Sequence, residues 1–165
     1  MRFDPVSICR ILNEEKVEYV VVGGFASVIL GSPLPTEDVD VLPERSQENL
    51  VRLATALRRM NAMIRTADEA VPAVLDAEFL ANMPFMLNLV TDFGILDLTF
   101  EPSGPLHGYA DWSADASSEE IAEGLVVRVA SLDAIIDSKR VADRAKDRRS
   151  LPYLESLREI RRSNS

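Results

Sequence analysis

Short apolar runs alternate along the chain with longer segments whose apolar residues recur every three or four positions. The short runs are rich in β-branched residues and end near glycine or proline, which predicts buried strands. These predicted strands cover residues 19–22, 39–42, 63–65, 86–90, 95–100 and 125–129. Residues 91–94 separate two of them and end in glycine, so we expect a hairpin there.

Helical spacing predicts the elements that cover these strands. Asp4 and Pro5 are typical of a helix start, because aspartate caps the first turn and proline is tolerated within it. Helices are predicted from residues 4–5 onward and over residues 26–30, 46–61, 119–123, 131–149 and 152–161. Residues 68–84 are compatible with a helix or a loop, and the polar residues 101–118, which include glycines and prolines, predict a loop.

The order of these elements predicts an α/β (α+β) fold, with a small mixed sheet flanked by helices. The C-terminal end, from about residue 131, is predicted to be helical. The chain has 165 residues, of which 47% are hydrophobic, and this suits a single domain, residues 1–165, with one core.

The sequence contains no apolar run long enough to span a membrane, and its N-terminus has no signal-peptide pattern. The single cysteine, Cys9, cannot form an internal disulfide and lies on the apolar stripe of the first helix, so we expect a buried thiol. These features predict a cytoplasmic protein that does not contact the membrane.

Charge is distributed unevenly along the chain. The residues before Lys139 include 9 Lys and Arg but 23 Asp and Glu, a net charge of −14, whereas the remainder has 9 against 4, a net charge of +5. The acidic total disfavours sequence-independent coating of nucleic acid, which requires a broad positive surface. The basic C-terminal segment indicates either an anionic partner or an exposed face that balances the acidic body.

Two carboxylates stand one residue apart in the second predicted strand. Side chains alternate along a strand, so Asp38 and Asp40 share a face, about 7 Å apart along the backbone. Such a pair repels unless a cation lies between its members, and Mg²⁺ prefers oxygen ligands of this kind. Asp97, in a later and otherwise apolar strand, also requires a partner or a metal. The alternative is that Asp38 and Asp40 are exposed strand-end acids and that Asp97 pairs with an arginine.

Gly23 and Gly24 follow the first predicted strand directly. A strand that leads into a glycine turn and a helix start presents backbone N–H groups to an anion. The hydroxyl of Ser27, three residues later, could contact a phosphate or could hydrogen-bond to the helix backbone. Without further features the turn is equally compatible with an ordinary strand-to-helix connection.

Lys139 and Lys146 continue the apolar stripe of the predicted helix 131–149. Lysines aligned with a core face require either a route for the ammonium group to water or an anion such as a triphosphate. The alternative is a set of surface pairs at i,i+4 spacing, for example Lys139 with Asp143.

Gly23 and Gly24, thirteen intervening residues and then Asp38-Val39-Asp40 resemble the signature of the nucleotidyltransferase superfamily, which has a polymerase-β-like fold. Residues 139–147 are similar to the K-x-x-A-x-R-x-K-D pattern of small bacterial and archaeal members, which include toxins of abortive-infection systems. The likeness extends over nearly the whole chain, because the first strand, the Asp-x-Asp strand, the third carboxylate and the C-terminal helix follow the superfamily's order.

This resemblance implies Mg²⁺- or Mn²⁺-dependent transfer of a nucleotide from a nucleoside triphosphate to a hydroxyl acceptor. Asp38 and Asp40 would hold the metal ions, and Asp97 would complete the metal site and help to deprotonate the acceptor. The expected phosphate-binding residues lie in the turn and in the C-terminal helix: Gly23, Gly24, Ser27, Lys139 and Lys146. Arg144 and Asp147 would orient their neighbours.

The resemblance leaves the acceptor open among RNA such as tRNA, protein hydroxyls and small molecules such as aminoglycosides. It also admits a cognate antitoxin or toxin as a partner. The sequence departs from its relatives at Leu34, where they often have an arginine near the nucleotide. A catalytically weak or inactive module that binds a nucleotide or a partner is therefore the alternative function.

His107 and Trp112 are the only residues of their types and lie in the predicted loop 101–118. We expect His107 to be exposed. We expect Trp112 to anchor the core, in preference to forming a platform on which a base stacks.

Overall fold

The structure is a computed structural model and describes residues 2–165. Within these residues eight strands form one mixed sheet. The strands are β1 (Tyr19–Val22), β2 (Asp38–Pro43), β3 (Met63–Arg65), β4 (Ala70–Val71), β5 (Met86–Thr91), β6 (Gly94–Thr99), β7 (Ser117–Ala122) and β8 (Leu125–Val129). The helices of the same residues are α1 (Pro5–Glu14), α2 (Gly23–Leu30), α3 (Gln47–Arg59), α4 (Ala77–Ala81), α5 (Gly108–Ala114), α6 (Leu132–Ala142) and α7 (Ala145–Ser163). The predicted α/β architecture with a mixed sheet and a helical C-terminal end is confirmed.

The strand order is β4-β3-β5-β6-β2-β1-β8-β7. β2 runs parallel to β6 and β1 parallel to β8, whereas the other neighbours pair antiparallel. In this register Asp97 lies between Asp40 on β2 and Asn88 on β5, and Asp40 lies beside Val22 on β1. Residues directly opposite one another in a sheet share a face, so this register forms a cross-strand row of polar side chains at the centre of the sheet.

The alternation along β2 decides which face carries this row. Val39 and Val41 are completely buried in the core, whereas Asp38 and Asp40 are half-buried on the opposite face. β1 is buried along its whole length, as expected for a central strand, and the thiol of Cys9 lies in the same core. The predicted burial of Cys9 is therefore confirmed.

The N-terminal helix begins as predicted, because the Asp4 carboxylate accepts a hydrogen bond from the backbone N–H of Ser7. The hairpin predicted around residues 91–94 is also confirmed, as β5 and β6 pair on either side of it. The ambiguous residues 68–84 contain the short strand β4 and the one-turn helix α4.

Residues 119–123 do not form the predicted helix. Residues 119–122 belong to β7, an edge strand that pairs with β8 through a turn at Glu123 and Gly124. Gly124 has a φ of 71°. β7 carries polar and half-exposed side chains, so it lacks the apolar run that reveals a central strand. The predicted loop 101–118 is also wrong in part, since α5 forms within it around the buried Trp112.

The boundary predicted between the helices 131–149 and 152–161 is wrong. The first ends at Asp143, which adopts a left-handed conformation with a φ of 49°, and α7 then begins at Ala145 and continues through Pro152. Asp147 fixes this break, because its carboxylate accepts a hydrogen bond from the backbone N–H of Arg144 just before α7. Pro152 is exposed in the first half of α7 and does not end it.

None of the helices described here is both long enough and apolar enough to cross a lipid bilayer.

Candidate active site

Three aspartates from two adjacent parallel strands meet on the open face of the sheet. Asp38 and Asp40 project from β2, and the parallel register sets Asp97 of β6 beside Asp40. One carboxylate oxygen from each residue lies within 4.8 Å of the others. The predicted sharing of a face by Asp38 and Asp40, and the predicted trio with Asp97, are thus both present in the structure.

The pKa values of Asp40 and Asp97 are shifted by burial and by neighbouring charges. Burial, followed by the negative charges of Asp38 and Asp97, raises the pKa of Asp40 to about 7. Burial also raises the pKa of Asp97, although its contact with Arg65 opposes the shift. The ionised forms of Asp40 and Asp97 are therefore less favourable than those of exposed carboxylates.

This donor set fits a divalent metal ion. The ligand atoms are all carboxylate oxygens, which hard cations such as Mg²⁺ prefer, and their spacing allows a single ion to contact more than one of them. The raised pKa of Asp40 indicates that a positive charge among the three aspartates would stabilise their ionised forms. Asp38, Asp40 and Asp97 are the residues that would hold the ion.

Arg65 is a site residue that the sequence did not single out. Its Nη2 donates to Oδ1 of Asp97 at 3.0 Å, so the arginine pairing named as the alternative for Asp97 also occurs. Nε of Arg65 is buried and has no hydrogen-bond partner among the described residues. The pairing of β3 with β5, one strand away from β6, brings this side chain to the cluster.

The glycine turn directly adjoins the aspartates. Gly23 has a φ of 66°, and a Cβ atom at this position would overlap Oδ2 of Asp40. A Cβ atom on Gly24 would lie 3.1 Å from Oγ1 of Thr36, whose hydroxyl in turn donates to Oδ1 of Asp38 at 2.9 Å. Because α2 begins at Gly23, earlier than predicted, its first N–H groups lie next to the carboxylate cluster.

Ser27 lies on the first turns of α2 and is buried. Its hydroxyl donates to the backbone carbonyl of Gly23 at 3.2 Å, which is the helix-backbone bond named above as the alternative. A hydroxyl in this position supports the conformation of the turn. To contact a phosphate, the Ser27 hydroxyl would have to break this hydrogen bond to Gly23.

The junction between α6 and α7 supplies the other cations of the site, in addition to Arg65. The Asp147 side chain is completely buried and accepts from Nε of Arg144 at 2.8 Å, while Nζ of Lys139 lies 3.5 Å from it. Burial raises the pKa of Asp147, but the hydrogen bonds and charge of Arg144 and the charge of Lys139 outweigh it, so the pKa lies below its usual range. Burial lowers the pKa of Lys139. Asp147 thus contacts both Arg144 and Lys139, and the orienting role expected of Arg144 and Asp147 stays a prediction.

Two cavities meet at the aspartates. The glycine-turn cavity, of about 500 Å³, extends along Gly24, Ser27, Thr36 and Arg149. The tryptophan cavity, of about 600 Å³, extends along Asn88, Glu101, Trp112 and Ser138. Both are lined by the same central set: Gly23, Asp38, Asp40, Arg65, Lys139, Arg144 and Lys146.

No protein-family model matches the chain, and no curated protein matches its sequence. Solved structures do match its fold. The lincosamide antibiotic adenylyltransferase LnuA, in a lincomycin-bound structure, aligns with a TM-score of 0.64 at 16% identity, over 95% of this chain and 99% of its own. ANT(2'')-Ia, in complex with adenylyl-2''-tobramycin, aligns with a TM-score of 0.54 at 16% identity, over 97% of this chain and 95% of its own. The chain has the nucleotidyltransferase fold.

Within this nucleotidyltransferase fold, Leu34 lines the glycine-turn cavity at the place where an arginine was expected. Arg144 and Arg149, at the start of α7, line the same cavity together with Lys139 and Lys146. Because Arg65 of β3 lines the cavity as well, the positive charge of the cavity comes from β3 and from the C-terminal helices. Four of the nine lysines and arginines of residues 139–165 therefore line this cavity.

The two remaining predictions for single residues are confirmed. His107 is exposed just before α5, and Trp112 is buried, with 2% of its surface exposed. Trp112 packs into the core and also forms part of the wall of the tryptophan cavity.

Proposed function

We propose that this protein is a divalent-metal-dependent nucleotidyltransferase, which moves a nucleoside monophosphate from a nucleoside triphosphate to a hydroxyl acceptor. The observation that carries the proposal is the convergence of Asp38, Asp40 and Asp97 beside the glycine turn. The fold shared with the adenylyltransferase LnuA and with ANT(2'')-Ia supports it.

In this proposal the two cavities hold the two substrates. The triphosphate occupies the glycine-turn cavity, where the turn presents the backbone N–H groups at the start of α2. Lys139 and Lys146 offset its negative charge, and Ser27 supports the turn. Lys146 is exposed and forms no ion pair with any other described residue, so its ammonium group is available to a phosphate.

The aspartates act on the reacting atoms. Asp38, Asp40 and Asp97 would hold Mg²⁺ or Mn²⁺, which supplies positive charge to the triphosphate and favours ionisation of the acceptor hydroxyl. The acceptor oxygen forms a bond to the α-phosphorus, the bond from this phosphorus to the bridging oxygen breaks, and pyrophosphate leaves. The Asp97 carboxylate receives the proton of the acceptor hydroxyl. No covalent intermediate with the protein is required.

A transfer assay tests this proposal. We expect label to pass from an α-labelled nucleoside triphosphate, in the presence of Mg²⁺ or Mn²⁺, to an acceptor among total RNA, cell protein, lincomycin and tobramycin. Asp40→Asn is expected to reduce transfer by about 10²-fold or more while the melting temperature is retained. Asp68→Asn, at an exposed position between β3 and β4, is the matched control and should remain active. Full activity of Asp40→Asn would exclude the proposal.

A nucleotide-binding module without turnover is the second candidate. It is favoured by the ion pair that Arg65 forms with Asp97 and by Leu34 at the place of the expected arginine. Saturable binding of a nucleoside triphosphate without label transfer to any acceptor would support this candidate over the enzyme.

The resemblance to abortive-infection toxins adds a biological hypothesis, in which the protein is one component of a toxin–antitoxin pair in the cytoplasm. We expect its expression to arrest growth if it is the toxin, and co-expression of the neighbouring gene to restore growth. Growth arrest that persists in Asp40→Asn would separate toxicity from nucleotidyl transfer.

A further inference from the structure

The tryptophan cavity lies beside the aspartates and is distinct from the glycine-turn cavity. The two cavities share the seven residues named above, Gly23 of the glycine turn among them, and the walls that belong to the tryptophan cavity alone come from the end of β1, β5, β6, the segment after β6, α5 and α6. With a volume of about 600 Å³ it falls in the range of small-molecule sites, which is roughly 300–1,000 Å³. Because Asp97 lines this cavity and not the other, a hydroxyl bound here would face the carboxylate proposed to receive its proton.

The charges that belong to the tryptophan cavity alone disfavour a strongly anionic occupant. The charged residues that line it without lining the glycine-turn cavity are Asp97 and Glu101, and both are acidic. Every cation along its wall also lines the glycine-turn cavity. Lys139 and Lys146 would engage the triphosphate there, whereas Arg65 pairs with Asp97 and Arg144 with Asp147. The phosphates of an RNA 3′ end would therefore meet no lysine or arginine of their own in this cavity, although such contacts supply most of the affinity for nucleic acid.

The remaining walls are mixed in character. Asn88, Ser103 and Ser138 offer hydrogen bonds, and Met86 is 46% exposed and offers apolar contact. The wall presents more polar than apolar surface, with Met86 as an exposed apolar contact. A concave site of this size is typical of small ligands, whereas a protein surface docks on flatter and larger areas.

We infer that the tryptophan cavity is the acceptor site, and that the acceptor is a small hydroxyl-bearing molecule, uncharged or cationic, with an apolar face. This inference rests on the proposed function and selects among the acceptors that the function leaves open. The apolar face of the acceptor contacts Met86, its polar groups bind Asn88 and Ser138, and Glu101 attracts a cationic group when one is present.

The test separates acceptors by size before the reaction. A cell extract is divided into a low-molecular-weight filtrate, total RNA and protein, and each fraction is incubated with the full-length protein, α-labelled ATP, CTP, GTP or UTP, and Mg²⁺. Label in the filtrate is expected. After an anion-exchange column removes anionic compounds from the filtrate before the reaction, the labelling is expected to persist.

Two pairs of variants locate the site. Ser103→Trp places a large ring at the exposed mouth of the tryptophan cavity, and Ser156→Trp makes the same change at an exposed position on α7 outside it. Glu101→Gln removes the acidic group, and Glu123→Gln, also exposed, is its control. We expect Ser103→Trp to lower kcat/KM for the filtrate acceptor by about tenfold or more, with the nucleotide Kd unchanged within about twofold. Glu101→Gln should raise the KM of a cationic acceptor and leave that of an uncharged one unchanged.

The outcomes distinguish a failure of this inference from a failure of the proposed function on which it rests. Label confined to RNA or to protein would overturn the inference and leave the proposed function intact. Normal use of the filtrate acceptor by Ser103→Trp would also overturn it, because the cavity would then not be the route of entry. Absence of nucleotide binding, or nucleotide binding without transfer to any fraction, would overturn the proposed function itself.

Discussion

Nη2 of Arg65 lies 3.0 Å from Oδ1 of Asp97, so one of the three clustered carboxylates already has a cationic partner within the chain. The Asp97 side chain is 8% exposed and that of Arg65 is 37% exposed, which leaves the guanidinium partly accessible to water. In the protein without metal, this ion pair offsets part of the repulsion among Asp38, Asp40 and Asp97. A divalent ion bound to Asp97 would compete with Arg65 for the same carboxylate.

The first prediction follows from this competition and concerns Arg65→Gln. We expect the variant without metal to lose about 1–2 kcal/mol of stability, less than a fully buried pair would lose, because the guanidinium is partly exposed. Added Mn²⁺ should raise its melting temperature more than that of the parent protein, since Arg65 no longer competes for Asp97. Thermal unfolding with and without Mn²⁺ measures both effects.

Arg52→Gln is the control for this experiment, because Arg52 makes only a surface pair with Glu48 on α3. Its stability and its response to Mn²⁺ should match those of the parent protein. An equal Mn²⁺-induced shift in Arg65→Gln and the parent protein would show that Arg65 does not influence metal binding.

The second prediction compares Gly23→Ala with Gly124→Ala. Both glycines have positive φ, 66° and 71°, so each substitution carries a backbone cost of about 1–2 kcal/mol. They differ in their surroundings, because a Cβ atom on Gly23 would overlap the Asp40 carboxylate whereas a Cβ atom on Gly124 would meet no atom within 4 Å. The difference between the two variants therefore reports the displacement of Asp40.

We expect Gly124→Ala to retain nucleotide transfer and Gly23→Ala to lose it. Transfer assays and Mn²⁺ titrations at a temperature where both variants are folded provide the measurement. Similar activities of the two variants would mean that displacement of the Asp40 carboxylate from Gly23 does not affect the reaction.

Local sequence patterns were sufficient to predict the glycine turn and the two aspartates of β2. The alternation of Asp38, Val39, Asp40 and Val41 has the two-residue period of a strand, so one face could be assigned to the core without knowledge of the fold. Asp97 could be predicted because an acidic residue within an apolar strand requires a partner.

Arg65 could not be predicted in this way, because its role depends on pairing between distant strands. β3 has three residues, and its position beside β5 places Arg65 in the row that contains Asn88 and Asp97. Nothing in the residues around Arg65 reports that register. The break between α6 and α7 was missed for a related reason, since the residues around Asp143 are compatible with a continuous helix until the Asp147 side chain is known to cap the second one.

The third prediction concerns pH and the cap of α1. Asp4 accepts hydrogen bonds from the backbone N–H of Ser7 at 3.0 Å and from its hydroxyl at 2.6 Å, and these bonds lower the pKa of Asp4. Because the folded-state pKa is depressed, the stabilising contribution is complete above the unfolded-state pKa of about 4 and is lost as the pH falls through the folded-state value. Asp4→Ala should therefore cost about 1 kcal/mol at neutral pH and progressively less below pH ~4.

Asp4→Asn tests whether ionisation is responsible, since asparagine caps a helix but does not titrate. The stability difference between Asp4→Asn and Asp4→Ala should stay constant over the same pH range. Chemical denaturation at a series of pH values measures these differences, and a constant difference between the parent protein and Asp4→Ala would contradict the assignment.

The last prediction concerns Asp147, which links the two C-terminal helices to the site. Its side chain is fully buried and accepts from both the backbone and the guanidinium of Arg144, and it also lies 3.5 Å from Nζ of Lys139. Asp147→Asn keeps the size of the side chain but removes the charge, so two cations lose their partner and the start of α7 loses its anionic cap. We expect a loss of about 2–4 kcal/mol in the free energy of unfolding.

Nucleotide affinity should also fall in Asp147→Asn, because Lys139 and Arg144 line the glycine-turn cavity and Asp147 holds both in place. Asp143→Asn is the matched control at the same junction. The Asp143 side chain is 67% exposed, and asparagine tolerates the left-handed conformation found there, so the change in stability should stay within about 0.5 kcal/mol. Nucleotide binding is compared at a temperature where both variants are folded. If Asp147→Asn binds nucleotide as tightly as Asp143→Asn, the positions of Lys139 and Arg144 do not depend on the buried carboxylate. Asp147 would then serve only to join α6 to α7.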